Sequence, residues 1–289
     1  MSIIRWLAIG LSTVATLIPL HVSASERKGI VLIVASSADS LVLKDGRTIA
    51  TGTYLNELVI PATALIEAGY ELRLATPTGK KPTIDARSRV ASHFAGDDGA
   101  LGRAIGFFDT HESMQRPISL ERALNEGLDR YVAVFVPGGH APFTDLAESE
   151  DFAAVLRHFN KHGKPTALLC HAPVALIAAV RNPHGFRTAM ANGDEVSAGR
   201  APYDWPYAGY EMTVFSNTEE VGVEDRIFQG KLAFYAADAL RVAGGLVTHA
   251  KKPFEPHAVR YRELITGQNP ASDHLLASLL LDALQSAHE

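Results

Sequence analysis

The chain has 289 residues, 47% hydrophobic and 20% charged, with a net charge of −5. That is ordinary globular composition with ample residues for one core. The charge leaves no basic footprint for nucleic acid, and a single cysteine, Cys170, excludes an intrachain disulfide scaffold.

Residues 3–20 are nearly all apolar behind the lone charge Arg5, and the run closes on Val22-Ser23-Ala24 before charged Glu26-Arg27-Lys28. This pattern predicts a secretory signal peptide over residues 1–24, cut after Ala24. Its loss leaves a mature charge of −6. An uncleaved anchor helix is the alternative, since the run is about long enough to span a bilayer. The expected compartment is the periplasm or the exterior, with no membrane contact after cleavage. There the free thiol must survive oxidising conditions.

Residues 29–35 form a continuous β-branched and apolar run, the signature of a buried strand. A polar loop leads to Gly52. From Leu55, apolar residues at Leu58, Val59, Ala62, Leu65 and Ile66 follow helical spacing, and Gly69 ends the helix. Residues 70–75 are a second strand. This β-α-β unit implies a parallel sheet.

Residues 77–116 are polar, Gly-rich and weakly periodic, and read as a long irregular excursion, a partly helical lid or edge. A short helix over 120–128 and a strand over 131–136 follow, the strand closed by Pro137-Gly138-Gly139-His140. An amphipathic helix is predicted over 148–162. Residues 165–169 form a strand that stops at Cys170 and turns into a helix reaching about Val180. Residues 181–210 form a second irregular insertion, with turn signals at Asn192-Gly193 and between Pro202 and Pro206. Both insertions are expected near the ligand crevice or a subunit contact. Strands over 212–215 and 259–265 and helices over 236–243 and 270–287 complete one domain, residues 25–289. The alternation gives an α/β, doubly wound, mostly parallel sheet with two irregular insertions.

The chemistry centres on Cys170. A strand-to-helix elbow lifts its central side chain to the carboxyl edge of the sheet. The following helix aims free N–H groups and its dipole at the same point, which favours a thiolate below the free pKa of about 8.5. Ala172 and Ala175 are small enough for the bend, and Pro173 suits a first helical turn. Gly138 and Gly139 let backbone N–H groups approach a ligand; with the N–H of His171, one of them could form an oxyanion hole.

Glu57 lies four residues before Pro61, whose missing N–H and crowding ring predict a helix distorted at Glu57. A carboxyl there either takes part in chemistry or faces solvent. His171 either moves protons or caps the helix. His140 and Asp145 line the pocket or fix its loop. No metal centre is expected, because no His-x-x-x-His pair with a nearby acid is recognised among the twelve histidines.

Three segments, Phe135-Val136-Pro137-Gly138-Gly139-His140, Asp145-Leu146 and Leu169-Cys170-His171-Ala172-Pro173, carry a resemblance to the PfpI superfamily, the flavodoxin-like group related to class I glutamine amidotransferases. Gly52-Thr53 through Glu57-Leu58 with Pro61, and Ala68-Gly69-Tyr70-Glu71 through Pro77 with Gly79, match its amino-terminal half. Glu263-Leu264-Ile265-Thr266-Gly267-Gln268-Asn269-Pro270-Ala271-Ser272 matches its carboxyl end, so that the likeness spans about residues 29–285. Cys followed by His, with Glu57, is most similar to the glyoxalase III branch, which includes heat-shock chaperones of about thirty-one kilodaltons.

The resemblance implies Cys170 as nucleophile, Glu57 hydrogen-bonded to its sulfur, His171 as proton carrier, and Gly139 with the His171 backbone as oxyanion hole. Glu220, or alternatively Glu219, would complete a Cys-His-acid set. It implies a cofactor-independent conversion of 2-oxoaldehydes such as methylglyoxal to 2-hydroxy acids. A small aldehyde and a second copy of the chain are the implied partners. A holding chaperone, a protein deglycase, a redox sensor and a peptidase are the alternatives. Two departures stand out. The export signal is unusual for a mostly intracellular family. Glutaminase chemistry is not expected, because glycines do not flank the cysteine and no downstream His-x-Glu pair is visible.

Overall fold

The computed structural model describes residues 28–200 and 204–287. The expected signal peptide, residues 1–24, lies outside the described residues, as does part of the turn after Pro202.

Seven strands form one sheet in the spatial order Ala258–Tyr261, Leu264–Gly267, Thr166–Leu169, Tyr131–Val136, Ile30–Val34, Glu71–Thr76 and Ile118–Ser119. All neighbours are parallel except Ala258–Tyr261, which runs antiparallel to Leu264–Gly267. Successive side chains of a strand point to opposite faces. Leu32 and Val34 therefore join Val134, Val136 and Leu168 in a core covered by the helix Glu150–Lys161, the 3₁₀ helix Ala172–Ala179 and the helix Ala236–Val242. Val31 and Ile33 join Ala133, Phe135, Ala167 and Leu169 on the other face, under helices Leu55–Glu67, Asp98–Thr110 and Asp273–Ser286. This is the doubly wound α/β arrangement that the alternating pattern predicts. It places the carboxyl ends of the central strands along one crest.

The structure corrects several local expectations. The stretch 77–116 is mostly ordered helix: Asp98–Thr110 starts at an Asp97 cap that accepts from the Ala100 N–H, and packs its Ala104 and Phe108 into the core. The beginning of the stretch reaches the crest, where the Thr78 N–H donates to the Ser37 hydroxyl oxygen and Ser88 Oγ accepts from the Leu55 N–H. Residues 181–200 are also helical, with Pro183–Ala191 and Glu195–Ala198 burying Phe186, Met190 and Ala198. Weak periodicity misled here because each of these helices buries only two side chains or fewer. The expected strand over 259–265 is a hairpin, turned at Arg262 with φ 54°. The strand expected over 212–215 shrinks to Glu211–Met212, paired with Leu246–Val247 apart from the main sheet. The polar loop before Gly52 contains a small hairpin, Ser40–Val42 with Thr48–Ala50. The first helix runs unbroken through Pro61, so the expected distortion at Glu57 is absent; Glu57 sits in the first turn.

One buried carboxylate fastens the crest. Glu219 Oε2 accepts from the Ser216 N–H (2.8 Å), the Ser216 hydroxyl (2.6 Å) and the Gln268 amide (2.9 Å). Its Oε1 accepts from the Phe254 N–H (2.7 Å) and the Asn269 amide (2.9 Å). Burial would push this carboxyl up, but the donors hold it below the usual carboxylate range. It joins the start of helix Asn217–Val223, the exit of the Leu264–Gly267 strand and the loop at Phe254. Glu219→Ala leaves those donors without an acceptor and should cost about 3 kcal/mol or more. Denaturant unfolding of the variant checks this; a loss under about 1 kcal/mol would mean the donors find water or new partners.

Candidate active site

The Thr166–Leu169 strand ends at Cys170, whose backbone takes φ 62°. A left-handed conformation in a residue with a Cβ costs roughly 1–2 kcal/mol and persists only where the surroundings enforce it. Here the Cys170 N–H donates to the Gly267 carbonyl (2.8 Å), and the Cys170 carbonyl accepts from the Phe215 N–H (2.9 Å). Both neighbours of the elbow therefore hold its backbone. His171 follows, and the eight-residue 3₁₀ helix Ala172–Ala179 begins with Pro173 in its first turn.

Gly138 shows why glycine closes the Tyr131–Val136 strand. A methyl group there would overlap the Glu57 carboxyl and the Leu169 carbonyl and would lie 2.7 Å from Cys170 Cβ. Gly139, at φ 94°, has its Cα against the Gly52 carbonyl. The Gly138 carbonyl accepts from the Tyr54 N–H at 3.2 Å, which docks the start of the first helix onto the elbow. Glu57, Gly138 and Cys170 consequently meet at one point.

Around that point the sequence-predicted residues fall as follows. Cys170 Sγ lies 3.2 Å from His171 Nδ1. His171 Nε2 lies 2.6 Å from Glu220 Oε2, and His140 Nε2 lies 2.9 Å from Glu220 Oε1. The two imidazole rings stack with centroids 3.8 Å apart. Glu220, not Glu219, faces the histidines, and adjacent positions on one helix give the two acids separate tasks. Gly138 packs against the Glu57 carboxyl and Cys170, and both Glu57 carboxyl oxygens are buried without a hydrogen-bond partner. Asp145 fixes a loop: it accepts from the Ser36 hydroxyl (2.6 Å) and the Ser37 N–H (2.7 Å).

Burial governs the protons. Glu57 is fully buried, and that desolvation pushes its carboxyl up to about 8. The Cys170 thiol, 2% exposed, is pushed well above its ordinary value by burial and then by the Glu57 carboxyl, while the Gly139 N–H opposes the rise. The expected thiol pKa below 8.5 is therefore corrected, because the helix N-terminus is outweighed by desolvation. The Glu57 contribution changes sign with its proton: an ionised carboxylate repels a thiolate, whereas a carboxylic acid can donate to it. Burial and neighbouring His140 pull His171 down to about 4, so it is a neutral base at pH 7. Burial alone would raise Glu220, but the two imidazoles keep it well below the usual carboxylate range. The set holds a thiol, a neutral base beside it, a carboxylate to steady the imidazolium, and a neutral acid at the sulfur.

Several site residues escaped the sequence. Phe215 lies 4.2 Å from the His171 ring by centroids, and Phe228 lies 4.9 Å from His140. Phe228 ends a π-helical turn, Glu224–Phe228, and Gln229 follows at φ 48°. The Arg87 guanidinium, clamped by Asp85, covers the Phe228 ring at 5.0 Å. Arg87 and Phe228 line a surface cavity of about 550 Å³, and Phe228 also packs against His140. No local motif marks either residue; the topology alone brings them here.

Two groups among the described residues could hold a metal: buried His140, His171 and Glu220, and a separate set, Asp129, His158 and His162. The second corrects the expectation about histidine spacing. His158 and His162 are a His-x-x-x-His pair, and Asp129 is the nearby acid.

Residues 48–190 match the DJ-1/PfpI family profile, a span that holds Glu57, Gly138, Gly139, His140, Cys170 and His171 but stops short of Glu220. The protein/nucleic acid deglycase HchA of Staphylococcus aureus is 25% identical over 262 residues, 89% of this chain and 80% of its own length. The crystal structure of glyoxalase III from Candida albicans superposes with a TM-score of 0.67 at 20% identity, covering 89% of this chain and 98% of that one. The Rapid Encystment Protein 24 KDa of Francisella tularensis does so at 0.67 and 21% identity, over 89% and 99%. At these identities the two superpositions establish a shared fold. The profile match, whose span contains the elbow at Cys170, makes the chain similar to the DJ-1/PfpI family.

Proposed function

We propose that the chain is a cofactor-independent, glyoxalase III-like enzyme that converts small 2-oxoaldehydes such as methylglyoxal to 2-hydroxy acids. The observation that carries the reading is the continuous line from Cys170 Sγ through His171 to Glu220, with contacts of 3.2 and 2.6 Å. Sulfur attacks the aldehyde carbon while His171 Nδ1 takes the thiol proton; the new alkoxide is met by the Gly139 N–H and reprotonated to a hemithioacetal. His171 then removes the hydrogen of that carbon as a proton and returns one to the neighbouring carbon through an enediol. A thioester results. Water hydrolyses it, releasing the 2-hydroxy acid and restoring the thiol, so that the net reaction adds one water. Glu220 steadies the imidazolium at each transfer. A second reading, removal of early aldehyde adducts from proteins, draws on the name of the Staphylococcus aureus relative. A Cys170 only 2% exposed favours the small substrate.

Lactate should form from methylglyoxal, and Cys170→Ser should lower kcat/KM by about a thousandfold or more without unfolding the protein. Activity should be level between about pH 4, where His171 takes up a proton, and about pH 8, where Glu57 loses one and its carboxylate begins to repel the thiolate. Glu57→Gln should erase the upper limb. Wild-type lactate release equal to that of Cys170→Ser would end the proposal.

Phe228 sets the size of the substrate in this reading. Phe228→Ala should open the cavity toward His140 and raise kcat/KM for phenylglyoxal relative to methylglyoxal by about tenfold, the scale of a few methylenes in a pocket. An unchanged ratio would show that the substrate enters elsewhere.

A further inference from the structure

We propose that Asp129, His158 and His162 form a surface binding site for a borderline divalent transition metal such as zinc. His158 lies in the last turn of the helix Glu150–Lys161, and His162 caps its end. Four residues apart on a helix, the two imidazoles lie one above the other, with ring centroids 4.3 Å apart. Asp129 comes from the 3₁₀ turn Leu128–Arg130 that leads into the adjacent strand. One ring nitrogen from each histidine and one carboxyl oxygen lie within 4.8 Å of one another. Zinc bound at about 2.0–2.1 Å in a tetrahedron wants its donors roughly 3.4 Å apart, a change within the reach of side-chain rotation.

The surroundings suit metal rather than a simple ion pair. His162 Nδ1 faces the His158 backbone carbonyl at 2.8 Å, and a carbonyl can only accept. That contact places the proton on Nδ1, leaves the Nε2 lone pair free, and supplies the backbone brace common behind metal-bound histidines. His158 Nε2 is buried without a hydrogen-bond partner and lies 3.2 Å from Asp129 Oδ1. Lys164 donates its ammonium to the Asp129 and Tyr131 backbone carbonyls at 3.0 and 2.9 Å. Two imidazoles and one carboxylate, with a position left for water, form a donor set that zinc, copper and nickel accept.

The site lies where strands Tyr131–Val136 and Thr166–Leu169 begin, at the edge of the sheet opposite Cys170. Metal bound there should brace the helix end against the turn and raise thermal stability without reaching the thiol.

The test is zinc titration of Cys170→Ser protein, which removes the competing sulfur, followed by calorimetry and thermal unfolding. One zinc should bind per chain and raise Tm. His158→Ala and His162→Ala should each weaken binding about tenfold or more, and Asp129→Asn should weaken it less, with Tm in the absence of zinc unchanged. Absence of zinc binding would overturn the proposal. So would one ion whose affinity survives the double change His158→Ala/His162→Ala, since it must then sit elsewhere, as at His140, His171 and Glu220.

Discussion

The burial of the Glu57 carboxyl beside Cys170 is the constraint around which the crest is built. Two acidic groups share a pocket that water does not reach, so that only one can be charged without a large penalty. Nearby features serve this arrangement. Gly138 supplies the empty volume in which they meet, and the Tyr54–Gly138 hydrogen bond holds the helix that brings Glu57. The strained backbone of Cys170 turns the sulfur toward Glu57, held by Gly267 and Phe215 on either side. With Glu57 titrating near 8, the acid carries the proton at neutral pH, and His171 stands as a neutral base 3.2 Å from the sulfur.

Glu219 and Glu220 show how one helix start serves two demands. Glu219 is saturated with donors from three segments and acts as a structural anchor. Glu220, the next residue, accepts from two histidines whose rings stack on each other. Fixing the first fixes the second: the ordered carboxylate beside His171 rests on the ordered carboxylate beneath it. His140 is thereby more than a pocket-lining residue, because it occupies the Glu220 oxygen that His171 leaves free.

The central strands were legible because they are continuous apolar runs bounded by glycine and proline, and residues 131–136 were read to the residue. The elbow was legible because a strand runs directly into Cys170-His171-Ala172-Pro173. The hairpin at Arg262 was not, since its reversal rests on one non-glycine residue with positive φ inside an alternating pattern. Position favours Glu220 over Glu219, but what separates their tasks is not local: Gln268, Asn269 and Phe254 arrive from the other end of the chain to occupy Glu219. The thiol pKa was misjudged for a related reason: a helix terminus is visible in sequence, but full burial of Glu57 and Cys170 is a property of the assembled core. Arg87 and Phe228 carry no local mark at all.

The most direct test of the shared-proton account is the alkylation rate of Cys170 by iodoacetamide as a function of pH, in wild-type protein and Glu57→Gln. The account predicts that the half-maximal rate moves to lower pH in the variant, because the thiolate no longer forms beside a carboxylate. Coincident curves, or labelling only after denaturation, would contradict it.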